Sequence, residues 1–277
     1  MRANPVRKKL AAGEVAIGTM VFEFNTTGIG RIIGAAGVEF AVYDMEHTGW
    51  SIETIRMLMA TARAAETVPM VRVPATQYHL LARPLDVGAM GLMVPMVEDA
   101  EQARLIVQSA KYPPQGRRGC AFGIAHDDYA GGDVLMKMQS ANDEIMLIAQ
   151  IETARGVENV DGIAAVDGID CIWIGHFDLT ASLGIPAQFD HPAFQDAVDA
   201  VIAAGQRHGK AVGIMASSVA NAQDWIARGF RAIAYSGDLW LYQQALAEGI
   251  AALRDAVTAV AGSSGTFPAG QARAGNG

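Results

Sequence analysis

Eight short runs of nearly continuous apolar residues alternate along this chain with segments of helical periodicity, and that alternation constrains the fold more than any other feature. The runs are Ala16 to Val21, Glu39 to Asp44, Val68 to Val73, Gly91 to Val94, Ile145 to Ile151, Asp170 to Ile174, Ala211 to Met215 and Arg231 to Tyr235. A strand that is apolar on both faces needs cover on both, as in a parallel sheet wrapped by helices. The intervening helical segments are Thr27 to Ala36, Ile52 to Ala65, Gln77 to Arg83, Ala100 to Ala110, Gly156 to Ala165, Pro192 to His208, Val219 to Arg228 and Leu239 to Val260. Ser51 stands where the second of these needs a cap. Eight strand and helix units in roughly 250 residues is the size of a (β/α)8 barrel. An α/β TIM barrel forming one domain over residues 1–261 is therefore expected.

Two segments break the repeat. Residues 111–144, rich in Gly, Asp and Pro, read as an insertion between the fourth helix and the fifth strand. Residues 262–277 are mostly Gly, Ser and Ala with few apolar anchors, and are expected to be a disordered tail.

Composition narrows the functional classes. The net charge of −8, with no basic cluster beyond Arg7-Lys8-Lys9 and Arg117-Arg118, argues against a nucleic-acid partner. Although 51% of residues are hydrophobic, no run approaches about 18 apolar residues, and no secretory signal pattern opens the chain. A cytoplasmic protein without membrane attachment is expected. Cys120 and Cys171 lack metal-type spacing and read as small apolar residues rather than a redox pair.

In a barrel the carboxyl ends of the strands converge on one mouth, so the residues there form one candidate site. They are Asp44-Met45-Glu46-His47 after the second strand, Arg72 at the end of the third, Gln150 and Glu152 at the fifth, Gly175-His176-Phe177-Asp178 after the sixth and Ser236-Gly237-Asp238 after the eighth. Glu152 and Asp178 follow neighbouring strands, whose backbones lie about 4.8 Å apart. Two carboxylates so close repel unless a proton or a cation is shared. Two hard oxygen ligands with open positions suit Mg²⁺, Mn²⁺ or Co²⁺ better than a closed zinc site. The planar fork of Arg72 can hold a substrate carboxylate or a developing enolate oxygen. A Schiff-base route would need a lysine at a strand's carboxyl end, and Lys8, Lys9, Lys111, Lys137 and Lys210 all lie elsewhere.

Several stretches carry a resemblance. They are Lys9 to Glu14, Asp44-Met45-Glu46-His47, Val71-Arg72-Val73-Pro74, Leu85 to Ala89 with Val94-Pro95, Tyr112-Pro113-Pro114 with Gly116-Arg117-Arg118-Gly119, Gln150-Ile151-Glu152, and Ile174-Gly175 with Asp178-Leu179. In this order they resemble the HpcH/HpaI family of metal-dependent pyruvate aldolases. The resemblance implies that Glu152 and Asp178 hold the metal, that Arg72 binds pyruvate oxygen and steadies its enolate, and that Gln150 lines the pyruvate site. It also implies that His47 moves a proton with Asp86 as its partner, and that amides around Phe177 and Asp178 hold the pyruvate carboxylate. The implied reaction is reversible cleavage of a 4-hydroxy-2-oxo acid into pyruvate and an aldehyde. The implied assembly is a hexamer of two trimers with the last helix exchanged between subunits.

Asp86 follows a helix that runs away from the mouth, so it is expected to serve a neighbouring subunit's His47. This chain departs from the family at His176-Phe177, where Pro and a small residue are usual, and at Met20, where many members have Trp. His176 reads as a packing residue or a second acid or base. The alternatives are an acyl-CoA lyase of the citrate lyase β-subunit type and a non-catalytic 2-oxo acid binding protein.

Overall fold

The structure, a computed structural model, describes residues 1–263, with side chains to residue 260. The chain divides into two compact units, the first Met1–Asp238 and the second beginning at Leu239. In the first, eight parallel strands pair in sequence order and the last closes on the first. They are β1 (Ala16–Val21), β2 (Phe40–Asp44), β3 (Val68–Arg72), β4 (Gly91–Val94), β5 (Met146–Ile151), β6 (Cys171–Ile174), β7 (Ala211–Ala216) and β8 (Ala232–Gly237). Strands β2 to β6 are buried at every residue, which is why their sequences are continuously apolar.

The sheet separates two cores. Tyr43, Val71, Leu92, Ile151 and Ile174 pack outward against the helices. Phe40, Val42, Met70, Met93, Met146, Ile148 and Trp173 fill the interior. Side chains alternate along a strand. On β2 the inward set Phe40 and Val42 therefore continues to Asp44; on β3 Val68 and Met70 continue to Arg72. By the same parity Met146 and Ile148 on β5 lead to Gln150 and then Glu152, and Cys171 and Trp173 on β6 lead to Gly175. The two-residue period thus aims the polar strand ends at the barrel axis.

The helices are α1 (Pro5–Ala11), α2 (Ile29–Ala35), α3 (Ile52–Ala62), α4 (Tyr78–Asp86), α5 (Ala100–Ala110), α6 (Val134–Glu144), α7 (Ala154–Glu158), α8 (Val160–Ala164), α9 (His176–Ser182), α10 (Pro192–His208), α11 (Val219–Arg228) and α12 (Asp238–Ser263). Ser51 caps α3 by accepting from Thr54 N at 3.3 Å. The base of the barrel is plugged by α1, whose Val6 and Leu10 join the inner core. The segment expected as one helix over Gly156 to Ala165 is two, separated at Asn159. The helices α1, α6 and α9 have no counterpart among the expected elements.

The insertion lies against the amino-terminal end of the barrel, away from the mouth. Arg63, at the end of α3, pairs with Asp128 at 2.6 Å, and Arg118 pairs with Asp86, at the end of α4, at 2.6 Å. Of the expected tail, residues 264–277 lie outside the described residues. Among the described residues no helix is long and apolar enough to cross a membrane.

Candidate active site

Asp44 organises one side of the mouth. Its buried carboxylate accepts from Glu46 N at 3.1 Å and His47 N at 3.0 Å, so it shapes the loop that follows β2. It also accepts from Arg72 Nε at 2.6 Å, the partner that strand register puts opposite it. Burial opposes the charge of Arg72, but Asp44, then Glu46 and Glu152, hold it above the usual arginine value. Phe22 lies 5.7 Å from the guanidinium. Asp44 and Glu46 both make their closest approach to Arg72 at Nε, at 2.6 and 3.3 Å, and among the described residues the terminal edge of the fork makes no hydrogen bond.

Glu152 sits on the other side, 2% exposed. It is not a helix cap, because Thr153 caps α7 by accepting from Gly156 N at 3.0 Å. One Glu152 oxygen accepts from Met96 N at 2.6 Å and the other from Gln150 Nε2. Burial, against those two hydrogen bonds and with Glu46 and Asp178 nearby, pushes its carboxyl up to about 7. Glu46 is likewise pushed up to about 7, by burial against the pull of Arg72, with Asp44 and Asp178 adding repulsion. A side chain at residue 175 would overlap Glu152 Oε2 and come within 2.9 Å of Gln150 Nε2, so only glycine lets β6 approach here. Gln150 Oε1 and Glu46 Oε2 are buried without a hydrogen-bond partner.

This is an environment that a divalent cation fits. Carboxylates that burial and mutual repulsion keep from ionising would be relieved by a positive charge, and hard oxygen donors are the right type. Glu152 and Asp178, the latter exposed in the first turn of α9, are the residues able to hold it. Among the described residues no group of three or more His, Cys, Asp or Glu is gathered for a metal.

The remaining candidates are spread more widely. His47 is exposed, its ring 3.7 Å from Glu46. Gln150 is buried beside Glu152. Phe177 is 57% exposed next to Asp178, its ring 5.2 Å from Phe189 and 4.8 Å from His176. His176 packs against both of these rings, and burial, countered by Asp178, pushes it down to about 4, which favours the packing role over an acid or base. Asp86 is not at this mouth: it is at the far end of the barrel, held by Arg118. Asp238 braces the loop after β1, accepting from Phe22 N, Glu23 N and Phe24 N at 2.8, 3.0 and 2.7 Å.

Sequence reasoning placed Asp44 and Glu46 at the mouth with His47 but assigned neither a role. The signal for Asp44 was its position opposite Arg72 in parallel register, whereas a Glu in a loop reads as solvated.

All five lysines lie away from the mouth. Lys111 is the informative one, because burial, with minor contributions from nearby charges, pushes it down to about 8, as in a Schiff-base lysine. Yet its Nζ donates to Asn142 O and Ile145 O, each at 2.6 Å, at the opposite end of the barrel.

Comparison with known proteins agrees with this fold. Residues 24–245 match the HpcH/HpaI aldolase/citrate lyase family. A 2-keto-3-deoxy-L-rhamnonate aldolase from Klebsiella pneumoniae is 36% identical over 88% of this chain and 91% of its own length. A 5-keto-4-deoxy-D-glucarate aldolase from Shigella boydii is 34% identical over 87% of this chain and 93% of its own. The crystal structure of an HpcH/HpaI aldolase from Desulfitobacterium hafniense superposes with a TM-score of 0.85 at 34% identity, covering 90% of this chain and 96% of that one. The chain belongs to the HpcH/HpaI aldolase/citrate lyase family.

Proposed function

We propose that this protein is a divalent-metal-dependent aldolase that reversibly cleaves a 4-hydroxy-2-oxo acid into pyruvate, or a close 2-oxo acid, and an aldehyde. The observation that carries this reading is the pairing of Glu152, pushed up to about 7, with a charged Arg72 whose terminal edge is free, across a mouth without lysine. A divalent cation, Mg²⁺, Mn²⁺ or Co²⁺, held by Glu152 and Asp178, would supply Lewis-acid polarisation of the 2-oxo group. Arg72 directs its free N–H groups at the oxygen where enolate charge develops, stabilisation of the kind that dominates many enzymes' rate enhancement. Asp44 keeps that fork oriented. Gln150 lines the same pocket and Phe177 borders the aldehyde side. His47, exposed on the loop after β2, moves the proton at the aldehyde oxygen.

We propose that the assembly is a hexamer of two trimers. Asp86 would complete a neighbouring subunit's His47, since it is held far from its own. On α12, Leu246, Ile250, Leu253 and Val257 are exposed at spacings of four and three residues, the stripe that an exchanged helix would bury.

The test is loss of pyruvate methyl protons in D₂O, followed by NMR. Exchange should require divalent metal and disappear in Glu152→Gln, with the circular dichroism of the barrel unchanged. Metal-independent exchange would overturn the mechanism, and pyruvate binding without exchange would favour a binding protein. Turnover of CoA esters would move the protein to the acyl-CoA lyases.

A further inference from the structure

One side chain of α5 ties two loops of the mouth together. Gln102 accepts from Glu98 N at 3.0 Å and donates to Met96 O at 3.0 Å and to Thr76 Oγ1 at 2.8 Å. Its own backbone is fixed, because Gln102 N donates to Asp99 Oδ1, the cap of α5, at 2.9 Å. Met96 has φ 54°, the left-handed region, which a residue with a side chain adopts only when its surroundings impose it. That conformation has a consequence at the metal ligand. The Met96 N–H donates to Glu152 Oε1 at 2.6 Å, while the next amide, Val97 N, donates to Gln150 O at 3.1 Å. An ordinary backbone at Met96 would change the relative directions of its carbonyl and the preceding amide, and both contacts could not be kept.

We propose that Gln102 is a positioning residue for Glu152. By holding Met96 O it keeps Met96 left-handed and the Met96 amide on Glu152 Oε1, which sets the direction in which the carboxylate presents its remaining lone pairs. The link runs through backbone, from a helix outside the barrel to a ligand inside it. It rests on the metal reading only for what Glu152 binds; the relay is protein geometry.

Two measurements on the whole protein test it. The first is the Mn²⁺ dissociation constant by EPR without substrate. Removing a group that orients a ligand typically weakens metal binding about 10- to 100-fold, and Gln102→Ala should do so with its melting temperature close to wild type. Gln102→Glu, which keeps the acceptor for Glu98 N but loses the donor to Met96 O, should weaken binding too. Adding Met96→Gly to Gln102→Ala should recover affinity to within about threefold, because glycine takes this φ without strain. A packing role for Gln102 would not be rescued that way.

The second measurement is the amide proton shift of residue 96 by NMR in the metal-free protein. It should move upfield in Gln102→Ala as the hydrogen bond to Glu152 lengthens. Unchanged Mn²⁺ affinity in both single variants, or no recovery in the double variant, overturns the proposal. If wild type binds no Mn²⁺, the metal reading fails, and the amide shift alone decides: movement supports the relay and constancy overturns it.

Discussion

The barrel carries a buried arginine and aspartate pair at each end, and the two are arranged in opposite senses. At the mouth Arg72 meets Asp44 at 2.6 Å with the aspartate side chain 0% exposed, so the open edge belongs to the cation. At the base Arg118 meets Asp86, also at 2.6 Å, but here the arginine side chain is 0% exposed and the aspartate 32%. One end offers a positive charge to an arriving anion; the other offers a carboxylate to whatever docks on it. Which member is buried, rather than the pair itself, decides what each end can do. Each arginine also lies over a ring, Arg118 over Tyr112 at 4.8 Å and Arg72 over Phe22 at 5.7 Å.

Breaking the pairs one at a time should separate the two roles. The largest effect is expected from Arg72→Ala. Loss of an oxyanion-stabilising group costs about 10² to 10³ in turnover, and leaving Asp44 buried without its partner costs about 3 to 5 kcal/mol of stability. Kinetics and chemical denaturation would read both; an equally stable variant would contradict the burial argument. The next effect concerns the outward carboxylate. His47→Ala and Asp86→Asn should each be weakly active alone, and mixing the subunits should restore part of the activity. No recovery after confirmed mixing would end the idea of a shared site. Arg118→Ala should lose only about 1 to 3 kcal/mol, in the range of ordinary single substitutions, because water can take over the exposed Asp86.

A pH prediction follows from the mouth alone. Glu46 and Glu152 have carboxyls raised to about 7 in the folded protein, against about 4.5 when unfolded. A raised value means that the folded state binds more protons between those limits. Metal-free protein should therefore grow more stable as pH falls from about 7 towards 4.5, and lose that increment as pH rises again. Glu152→Gln should flatten the profile, and saturating Mg²⁺ should reverse its slope; urea midpoints across this range would show it. The smallest effect is expected at Lys111. Lys111→Met should leave pyruvate exchange intact, and borohydride with pyruvate should not trap an adduct on the wild-type protein; a trapped adduct would revive the Schiff-base route.

Much of this molecule can be read from its residues. The eight strands are legible because burial on both faces leaves short, continuously apolar runs that alternate with longer amphipathic segments, and β1 and β4 have the expected limits. The positions of Arg72 and Glu152 at the mouth were legible because alternation along β3 and β5 aims them at the axis, whereas Asp178 stands exposed in the first turn of α9, beyond the reach of that rule. What escaped has physical reasons. The insertion helix α6 exposes Val134, Leu135 and Met136, so its apolar residues do not mark a face turned to the core. The helix α9 is a single short element of seven residues with mixed polarity. The break at Asn159 divides a segment whose periodicity runs through both halves. The role of Gln102 acts through a carbonyl and an amide that every residue possesses, so no residue type could announce it.

The brace at Asp238 bears on the order in which a ribosome delivers this molecule. The amides of Phe22, Glu23 and Phe24 are among the first of the barrel to be synthesised, and the carboxylate that fixes them arrives more than two hundred residues later. Arg72, Glu152 and Asp178 are already made by then, but Phe22 lies over Arg72 on a loop still without its anchor. A nascent chain halted before Asp238 would hold the charges of the mouth and all eight strands yet lack its closed rim, so the rim is completed by the first residue of the last helix rather than by the last strand.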